Sequence, residues 1–291
     1  MSAKFGPAGN SDSFSAKYKS SSDAPVFLKE MGLDCYEYQC GRGVRVSDKA
    51  AEAIRSKAEE NGIGLSLHAP YFISLSSVEP EKRDNSINYI LQSCDAAMRI
   101  GADRIVIHSG SCSKMTREEA LELAKDTLTR ARQQAIEQGF EKIHFCPETM
   151  GKTNQLGNLT EVLEMCRLDD TFIPCIDFGH LNARTFGGIK CGDDYEKMLD
   201  EVENALGADR LKVFHSHFSK IMYTNPGGEK KHLTFEDNEY GPDFEPLMEI
   251  IAKKNLSPVF ICESSGTQAE DALKMKENYL SYKTEIGRAH V

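Results

Sequence analysis

The sequence of 291 residues contains no long apolar run, and this absence limits where the protein can reside. No stretch approaches the roughly 18 consecutive apolar residues that a transmembrane helix needs. Residues 1–23 are rich in serine and lysine and lack the apolar centre of a signal peptide. We therefore expect no membrane partner and a cytoplasmic location.

An excess of basic residues is also missing. The chain has 35 Lys and Arg against 45 Asp and Glu, which gives a formal net charge of −10. This balance excludes a protein that binds nucleic acid through a generally basic surface. It leaves open a local basic groove, and also a pocket whose carboxylates are neutralised by metal.

The cysteines show no pairing pattern. All nine are scattered along the chain, and none belongs to a CxxC pair. This distribution favours reduced thiols in the cytoplasm over a disulfide framework or a zinc site made of thiolates.

What is present is an alternation of short apolar runs with longer amphipathic segments. The runs predict strands at 4–6, 35–39, 63–68, 103–108, 142–148, 173–177, 211–215 and 258–263. The longer segments predict helices at 47–61, 81–100, 116–138, 159–166, 193–206, 244–253 and 268–282. Counting the weak first unit, eight strand–helix repeats predict an α/β fold, a single-domain (βα)8 TIM barrel over residues 1–283.

Two further absences support that fold. An open doubly wound sheet usually carries a glycine-rich phosphate loop after its first strand, and the chain contains neither GxGxxG nor GxxxxGK[ST]. No Pro- or Ser-rich linker divides the chain, which favours one domain. Residues 284–291 (TEIGRAHV) do not continue the amphipathic pattern, so we predict a non-native or disordered tail there.

Imidazole and carboxylate groups stand at the carboxyl ends of the predicted strands. In a TIM barrel these ends converge on one face, so the side chains would form a repelling, poorly solvated cluster unless cations bind among them. Imidazole together with carboxylate suits zinc first and manganese second. The predicted metal ligands are His68, His108, Glu148, Asp177, His180, His215, His232 and Glu263.

The number of these ligands indicates more than one ion. It exceeds the roughly four or five ligands that a single ion uses, so we predict two or three ions. Glu148 stands at the centre of the strand series, and it is the predicted bridge between two of them.

The same residues resemble a known family, the endonuclease IV type of apurinic/apyrimidinic (AP) endonucleases, from residue 62 to residue 264. The resemblance rests on the motifs His68-Ala-Pro-Tyr71, Val106-Ile-His108-Ser-Gly110, Glu148-Thr-Met-Gly151, Cys175-Ile-Asp177-Phe-Gly-His180, His215 and Cys262-Glu263. That family is a TIM barrel with three zinc ions that hydrolyses the phosphodiester 5′ to an abasic site in DNA. The ligand sets that the resemblance implies are His68, His108 and Glu148 for the first zinc; Glu148, Asp177, His215 and Glu263 for the second; and His180 and His232 for the third.

The chain departs from the family pattern in two places. The third zinc of the family also takes an aspartate two residues before the loop histidine, and here that position is Lys230, which cannot ligate while charged. Either Glu229 substitutes for the aspartate, or the third ion is weak or absent. The family also has an Asn-Asp pair after its strand-seven histidine, and this chain has His215-Ser-His217-Phe-Ser-Lys220 instead.

The first functional hypothesis is zinc-dependent hydrolysis of the phosphodiester 5′ to abasic sites in DNA, by a monomer without a protein partner. Glu148 would bridge the metals and orient the attacking water. The candidate DNA contacts are Tyr71, Arg42, Lys152 and Lys220, and for each of them an ordinary solvated surface role is an equal alternative.

The second hypothesis is a single-metal sugar isomerase or epimerase of the xylose isomerase-like type. Its metal set would be Glu148, Asp177, His215 and Glu263, with Glu148 and Glu263 as the catalytic pair that exchanges protons α to a carbonyl. The missing aspartate and the acidic charge favour this alternative, whereas the additional histidines favour the nuclease. A third hypothesis is a metal-binding scaffold without catalytic activity, and metal stoichiometry separates the first two.

Overall fold

Eight parallel strands surround the centre of the molecule in the computed structural model, which describes residues 2–289. They are β1 (Lys4–Pro7), β2 (Cys35–Gln39), β3 (Gly64–His68), β4 (Arg104–His108), β5 (His144–Glu148), β6 (Cys175–Asp177), β7 (His215–Phe218) and β10 (Val259–Cys262). Around the barrel their order is β1-β10-β7-β6-β5-β4-β3-β2. The ring closes where Ala8, just beyond β1, pairs with Glu37 in β2. The predicted (βα)8 TIM barrel is therefore confirmed.

Helices cover the outside of this barrel. They are α1 (Asp12–Lys17), α2 (Ala24–Met31), α3 (Asp48–Asn61), α4 (Pro80–Ile100), α5 (Arg117–Glu137), α6 (Leu159–Cys166), α7 (Phe178–Arg184), α8 (Gly192–Leu206), α9 (Ala208–Lys212), α10 (Glu245–Lys253) and α11 (Gln268–Ala289). Thr116 starts α5 with a capping box, in which its hydroxyl accepts from the Glu119 backbone N–H. Gly62 ends α3 with a φ of 68°, a left-handed conformation that favours glycine.

Apolar side chains fill the layer between the strands and the helices. Buried examples, one from each of six helices, are Ile54, Ala97, Leu128, Val162, Leu199 and Ile251. Such buried residues recur on one face of each helix, which is the amphipathic pattern seen in the sequence. Their burial holds each helix against the barrel.

The seventh strand lies later in the chain than the sequence pattern predicts. The predicted strand 211–215 is wrong, because Ala208–Lys212 forms the short helix α9 and β7 begins at His215. A short apolar run cannot be assigned to helix or strand from periodicity alone, and Leu211 is buried in a helix here. This difference affects the site, because His215 is the first residue of β7 and therefore does not lie at the carboxyl end of the strand.

An antiparallel hairpin, absent from the predicted elements, follows β7. It consists of β8 (Lys220–Thr224) and β9 (Gly228–Leu233). Gly228 forms a bridge with Lys152 in the loop after β5. The hairpin is thereby fixed beside the carboxyl ends of the barrel strands.

The last helix, α11, extends further than predicted. Residues 284–289 continue it to Ala289, so a disordered tail is not what the structure shows for these residues. Residues 290 and 291 lie outside the described part, and a non-native origin of the segment stays a prediction. Among residues 2–289, the structure contains no helix with the length and apolarity that a membrane crossing requires.

Gly6 in β1 provides a test of how tightly the barrel closes. A Cβ at Gly6 would lie 1.8 Å from the Cys35 carbonyl oxygen of β2, and a backbone atom in a barrel strand cannot move aside cheaply. We expect Gly6→Ala to lower the free energy of unfolding by about 3 kcal/mol, measured by urea denaturation. Gly287→Ala is the matched control, because nothing lies within 4 Å of its added Cβ. A Gly6→Ala protein as stable as the control would contradict this tight closure.

Candidate metal centre

The carboxyl ends of the barrel strands surround a cavity of about 310 Å³. Its lining includes Gln39, His68, Tyr71, His108, Glu148, Lys152, His180, Glu229, His232 and Glu263. The structure therefore brings six of the eight predicted metal ligands into one lining. Asp177 lies next to this cavity and is completely buried.

Glu148 at the end of β5 is the centre of the cluster. Its Oε2 lies 3.4 Å from His68 Nε2 and 3.4 Å from His108 Nε2. Its Oε1 lies 3.1 Å from His217 Nδ1 and 3.4 Å from His180 Nδ1. Oε2 thus faces His68 and His108 and Oε1 faces His217, which is the arrangement expected of a carboxylate that bridges two ions. His180 Nδ1 donates to the Thr149 carbonyl oxygen at 2.9 Å, so His180 is free to ligate only through Nε2.

The strand-seven histidine in this cluster is His217, whereas the sequence analysis selected His215. Because β7 begins at His215, that residue lies deeper in the barrel, and His217 lies two residues nearer the mouth on the same face of the strand. His217 Nδ1 lies 3.5 Å from Glu263 Oε1, and candidate donor atoms of Glu148, Asp177, His217 and Glu263 all lie within 4.8 Å of one another. The prediction for His215 is corrected accordingly.

Two oxygen atoms show that this group fits a divalent cation. Asp177 Oδ1 accepts a hydrogen bond from the His180 backbone N–H, at 2.7 Å, and so caps α7. Asp177 Oδ2 and Glu148 Oε2, in contrast, are buried and make no hydrogen bond, although imidazole nitrogens lie 3.2–3.4 Å from them. Buried carboxylate oxygens without a hydrogen bond are unfavourable, and a cation would satisfy both.

A second set of donors lies between α7 and the hairpin. It consists of His180, Glu229 and His232. Glu229 Oε2 lies 3.4 Å from His180 Nε2, and Glu229 Oε1 lies 4.0 Å from His232 Nε2. Glu229 therefore occupies the place that the family pattern gives to an aspartate at position 230.

A β-bulge explains how Glu229 reaches this place. Glu229 and His232 are three positions apart in the sequence, so in a regular strand their side chains would face opposite sides. In the hairpin, however, Tyr223 pairs with Glu229 while Met222 pairs with Lys231. Lys230 is consequently the extra residue of the bulge, and the bulge places Glu229 and His232 on the same face.

In the absence of metal, burial and nearby charges shift the pKa values of the histidines in opposite directions. Burial lowers the pKa of His68, but its contact with the Glu148 carboxylate outweighs that effect and raises the pKa to about 8. Burial dominates at His108 and lowers its pKa to about 4, despite the attraction of Glu148. For Glu148, burial opposes ionisation, but the surrounding imidazoles hold its pKa well below the ordinary value.

Three of the four candidate DNA contacts remain accessible. Tyr71 is 52% exposed and lines the cavity with Lys152, whose side chain is also exposed. Arg42 is exposed in the loop after β2. Lys220 is buried, since its ammonium group donates to the Asp237 carbonyl oxygen at 2.7 Å and pairs with the Asp243 carboxylate at 3.1 Å. The proposed phosphate contact of Lys220 is therefore withdrawn.

Two functional candidates, His217 and Glu37, are not predicted from the sequence motifs. His217 could have been found because it follows His215 at the two-residue spacing of a strand. Glu37 stands inside a predicted strand between two tyrosines, a position where a charged residue is unusual.

Comparisons with known proteins identify the family of the chain. The family model described as xylose isomerase-like TIM barrel matches residues 26–280. An uncharacterized protein of Methanocaldococcus jannaschii is 31% identical over 272 residues, which cover 94% of this chain and 95% of that protein. A probable endonuclease 4 of Mycoplasma genitalium is 32% identical over 71% of this chain and 69% of its own length.

Two solved structures share the fold. Endonuclease IV from Thermus thermophilus superimposes with a TM-score of 0.65 and 18% identity, and covers 98% of this chain and 100% of its own. A D-tagatose 3-epimerase-like protein gives a TM-score of 0.68 and 20% identity, and covers 97% of this chain and 98% of its own. At these identities the two structures support the barrel fold and do not distinguish between the two activities.

The raised pKa of His68 predicts a pH dependence of stability in metal-free protein. Because the pKa is about 8 in the folded state against 6.5 ordinarily, this contribution is complete below pH 6.5 and is lost as the pH rises through 8. We expect the stability advantage of the wild type over His68→Gln to fall by about 2 kcal/mol between pH 6 and pH 9, measured by urea unfolding with chelator present. His68→Gln should lack this component, so an equal stability difference between the two proteins at both pH values would contradict it.

Because of the bulge, substitutions at two adjacent residues should affect the metal content differently. Glu229→Ala removes a donor from the His180–His232 group, so we expect the metal content after dialysis to fall by one ion per chain. Lys230→Ala changes only the exposed bulge residue and should leave the metal content unchanged. Elemental analysis of both variants checks this, and a loss of metal in Lys230→Ala alone would show that the assignment is wrong.

Proposed function

The chain belongs to the xylose isomerase-like TIM barrel family, and within it we propose a metal-dependent endonuclease that cleaves DNA 5′ to abasic sites. The single observation that carries this proposal is the position of Glu148, whose Oε2 faces His68 and His108 and whose Oε1 faces His217. Similarity to a probable endonuclease 4 over two thirds of both chains supports it.

The proposed ligands fall into three groups around this carboxylate. They are His68, His108 and Glu148; Glu148, Asp177, His217 and Glu263; and His180, Glu229 and His232. Zinc is the first choice for such imidazole-rich groups, and manganese is the second. When bound, divalent ions neutralise charge at the phosphate oxygens and activate water for attack on phosphorus.

A local basic rim supports DNA as the substrate, despite the acidic composition. The loops after β2, β3, β4 and β5 are residues 40–47, 69–79, 109–116 and 149–158. Together they contain four basic residues, Arg42, Arg45, Lys114 and Lys152, and one acidic residue, Glu79. This side of the mouth is therefore suited to a phosphate backbone, although the whole chain carries a charge of −10.

Exposed aromatic groups complete that side of the mouth. Tyr71 is 52% exposed and Phe72 is 40% exposed. Their rings pack edge to face, with the ring centroids 5.8 Å apart. The exposed Tyr71 ring beside the cavity suits stacking against a base next to an abasic nucleotide. The abasic nucleotide itself makes no base pair, so turning it out of the duplex toward the cavity costs little.

A sugar epimerase is the second candidate. The group Glu148, Asp177, His217 and Glu263 contains the carboxylates and the imidazole that a single-metal epimerase would use, and the D-tagatose 3-epimerase-like structure has the same fold. One ion, however, would leave His68, His108, His180 and His232 without a ligand role. For this reason we favour the endonuclease.

Cleavage of a defined duplex tests the proposal. Protein of verified metal content should nick a labelled duplex that carries one tetrahydrofuran abasic analogue, on the 5′ side, and chelator should abolish the nicking. Glu148→Gln should lower the rate by more than about 100-fold, beyond the loss typical when an outer hydrogen-bond partner of a metal ligand is removed.

Two controls accompany that assay. A duplex of the same sequence without the analogue should stay intact, and a ketohexose should show no C3 epimerisation under the same conditions. Metal-loaded protein that leaves the abasic duplex intact would refute the endonuclease, and epimerisation of the sugar would establish the second candidate.

A further inference from the structure

A fully buried carboxylate, Glu37 of β2, lies in the barrel interior below the metal centre. Its contact with His217 crosses the interior, because β1 and β10 separate β2 from β7 in the sheet. A nearby interior cluster consists of apolar residues, including Val106, Cys146 and Cys175. A charge in this layer therefore requires a specific reason.

Four side chains approach the two oxygens of Glu37. Oε2 accepts a hydrogen bond from Ser66 Oγ at 2.9 Å and contacts His215 Nε2 at 2.8 Å. Oε1 accepts from Gln39 Nε2 at 3.1 Å and lies 2.8 Å from His217 Nε2. The carboxylate is thus held in one orientation by residues from three strands, β2, β3 and β7.

The contact with His217 decides which ring nitrogen faces the metal centre. His217 Nε2 lies 2.8 Å from Glu37 Oε1 without the alignment of a hydrogen bond, whereas His217 Nδ1 is hydrogen-bonded to Glu148 Oε1 at 3.1 Å and lies 3.5 Å from Glu263 Oε1. A neutral imidazole carries one proton and offers one lone pair, and a carboxylate can only accept. When a cation takes the lone pair of Nδ1, the ring proton must be on Nε2, and the Glu37 carboxylate, 2.8 Å away, is the acceptor that favours this tautomer.

We propose that Glu37 is a positioning residue that fixes the ring orientation and tautomer of His217 for metal binding, and that His215 holds Glu37 in place. This inference rests on the proposed metal-dependent function. It also assigns a role to both histidines of the His215-Ser-His217 run, since the deeper one supports the carboxylate and the upper one ligates.

Glu37→Gln is the direct test, because the amide keeps the size but has only one acceptor oxygen. Its NH₂ group must face one of the two histidines, so the two rings can no longer both donate to residue 37. We expect the Zn²⁺ affinity of the weakened group to fall 10–100-fold, measured by competition with a chromophoric chelator. Long-range ¹H–¹⁵N spectra of the zinc-loaded wild type should show His217 protonated on Nε2 and ligated through Nδ1, and the variant should lose that signature.

Two variants control for general effects of the substitution. Ser66→Ala removes one donor but keeps the Glu37 charge and both histidine contacts, so its zinc affinity should stay within about threefold of wild type, well short of the loss from Glu37→Gln. Glu161→Gln makes the same change at another buried glutamate, which pairs with Arg117 and lies outside the donor groups. It should lower thermal stability without changing zinc affinity.

The outcomes separate this inference from the proposed function. Zinc affinity and the His217 signature unchanged in Glu37→Gln would overturn the positioning role alone, while the endonuclease proposal would stand. An equal loss of affinity in Glu161→Gln would also overturn it, since the effect would then be structural. Wild-type protein that binds no Zn²⁺ would overturn both.

Discussion

Charge neutralisation at the mouth of the barrel is the constraint on which the rest of the site depends. Parallel strands deliver their last side chains to one face, and here four successive strands, β3 to β6, end in an imidazole or a carboxylate. Glu148 and Asp177 are almost completely buried, and each keeps an oxygen without a hydrogen-bond donor. Protonated histidines balance part of this charge in the absence of metal, but burial lowers the pKa of His108 to about 4 and removes it from that balance. Divalent cations would neutralise these carboxylates together, and two of the three proposed donor groups share Glu148.

The sequence predicts the barrel and much of the centre, because both follow from patterns that each strand carries locally. His68, His108, Glu148 and Asp177 each end a strand, and their positions needed only the strand boundaries. His217 could not be placed in the same way, since the run 211–215 is compatible with either helix or strand. A shift of two residues along β7 moves a side chain from the interior to the mouth without changing the face of the strand.

Irregular structure limited prediction at two further places. The bulge at Lys230 turns Glu229 toward His180, and a bulge arises from the pairing of two strands rather than from either strand alone. A lysine is expected to be exposed when only the sequence is known. Lys220 is nevertheless buried, because the backbone carbonyl of Asp237 and the carboxylate of Asp243 hold its ammonium group. In both cases the deciding partner lies in the segment that forms or follows the hairpin, where composition carries little information on pairing.

The distribution of charge, more than its total, decides whether a phosphate backbone can approach. The helix α8 alone carries six acidic residues, Asp193, Asp194, Glu196, Asp200, Glu201 and Glu203, and it lies on the outside of the barrel. At physiological ionic strength charges more than about 8 Å apart are largely screened from one another in solvent, so an outer helix contributes little at the mouth. The segment after β9 is also acidic, with Glu236, Asp237, Glu239 and Asp243. Under the proposed function, an extended polyanion would therefore meet the mouth from the side of the loops after β2 to β5, where basic and aromatic side chains are exposed, and the metal centre would lie between that side and the hairpin.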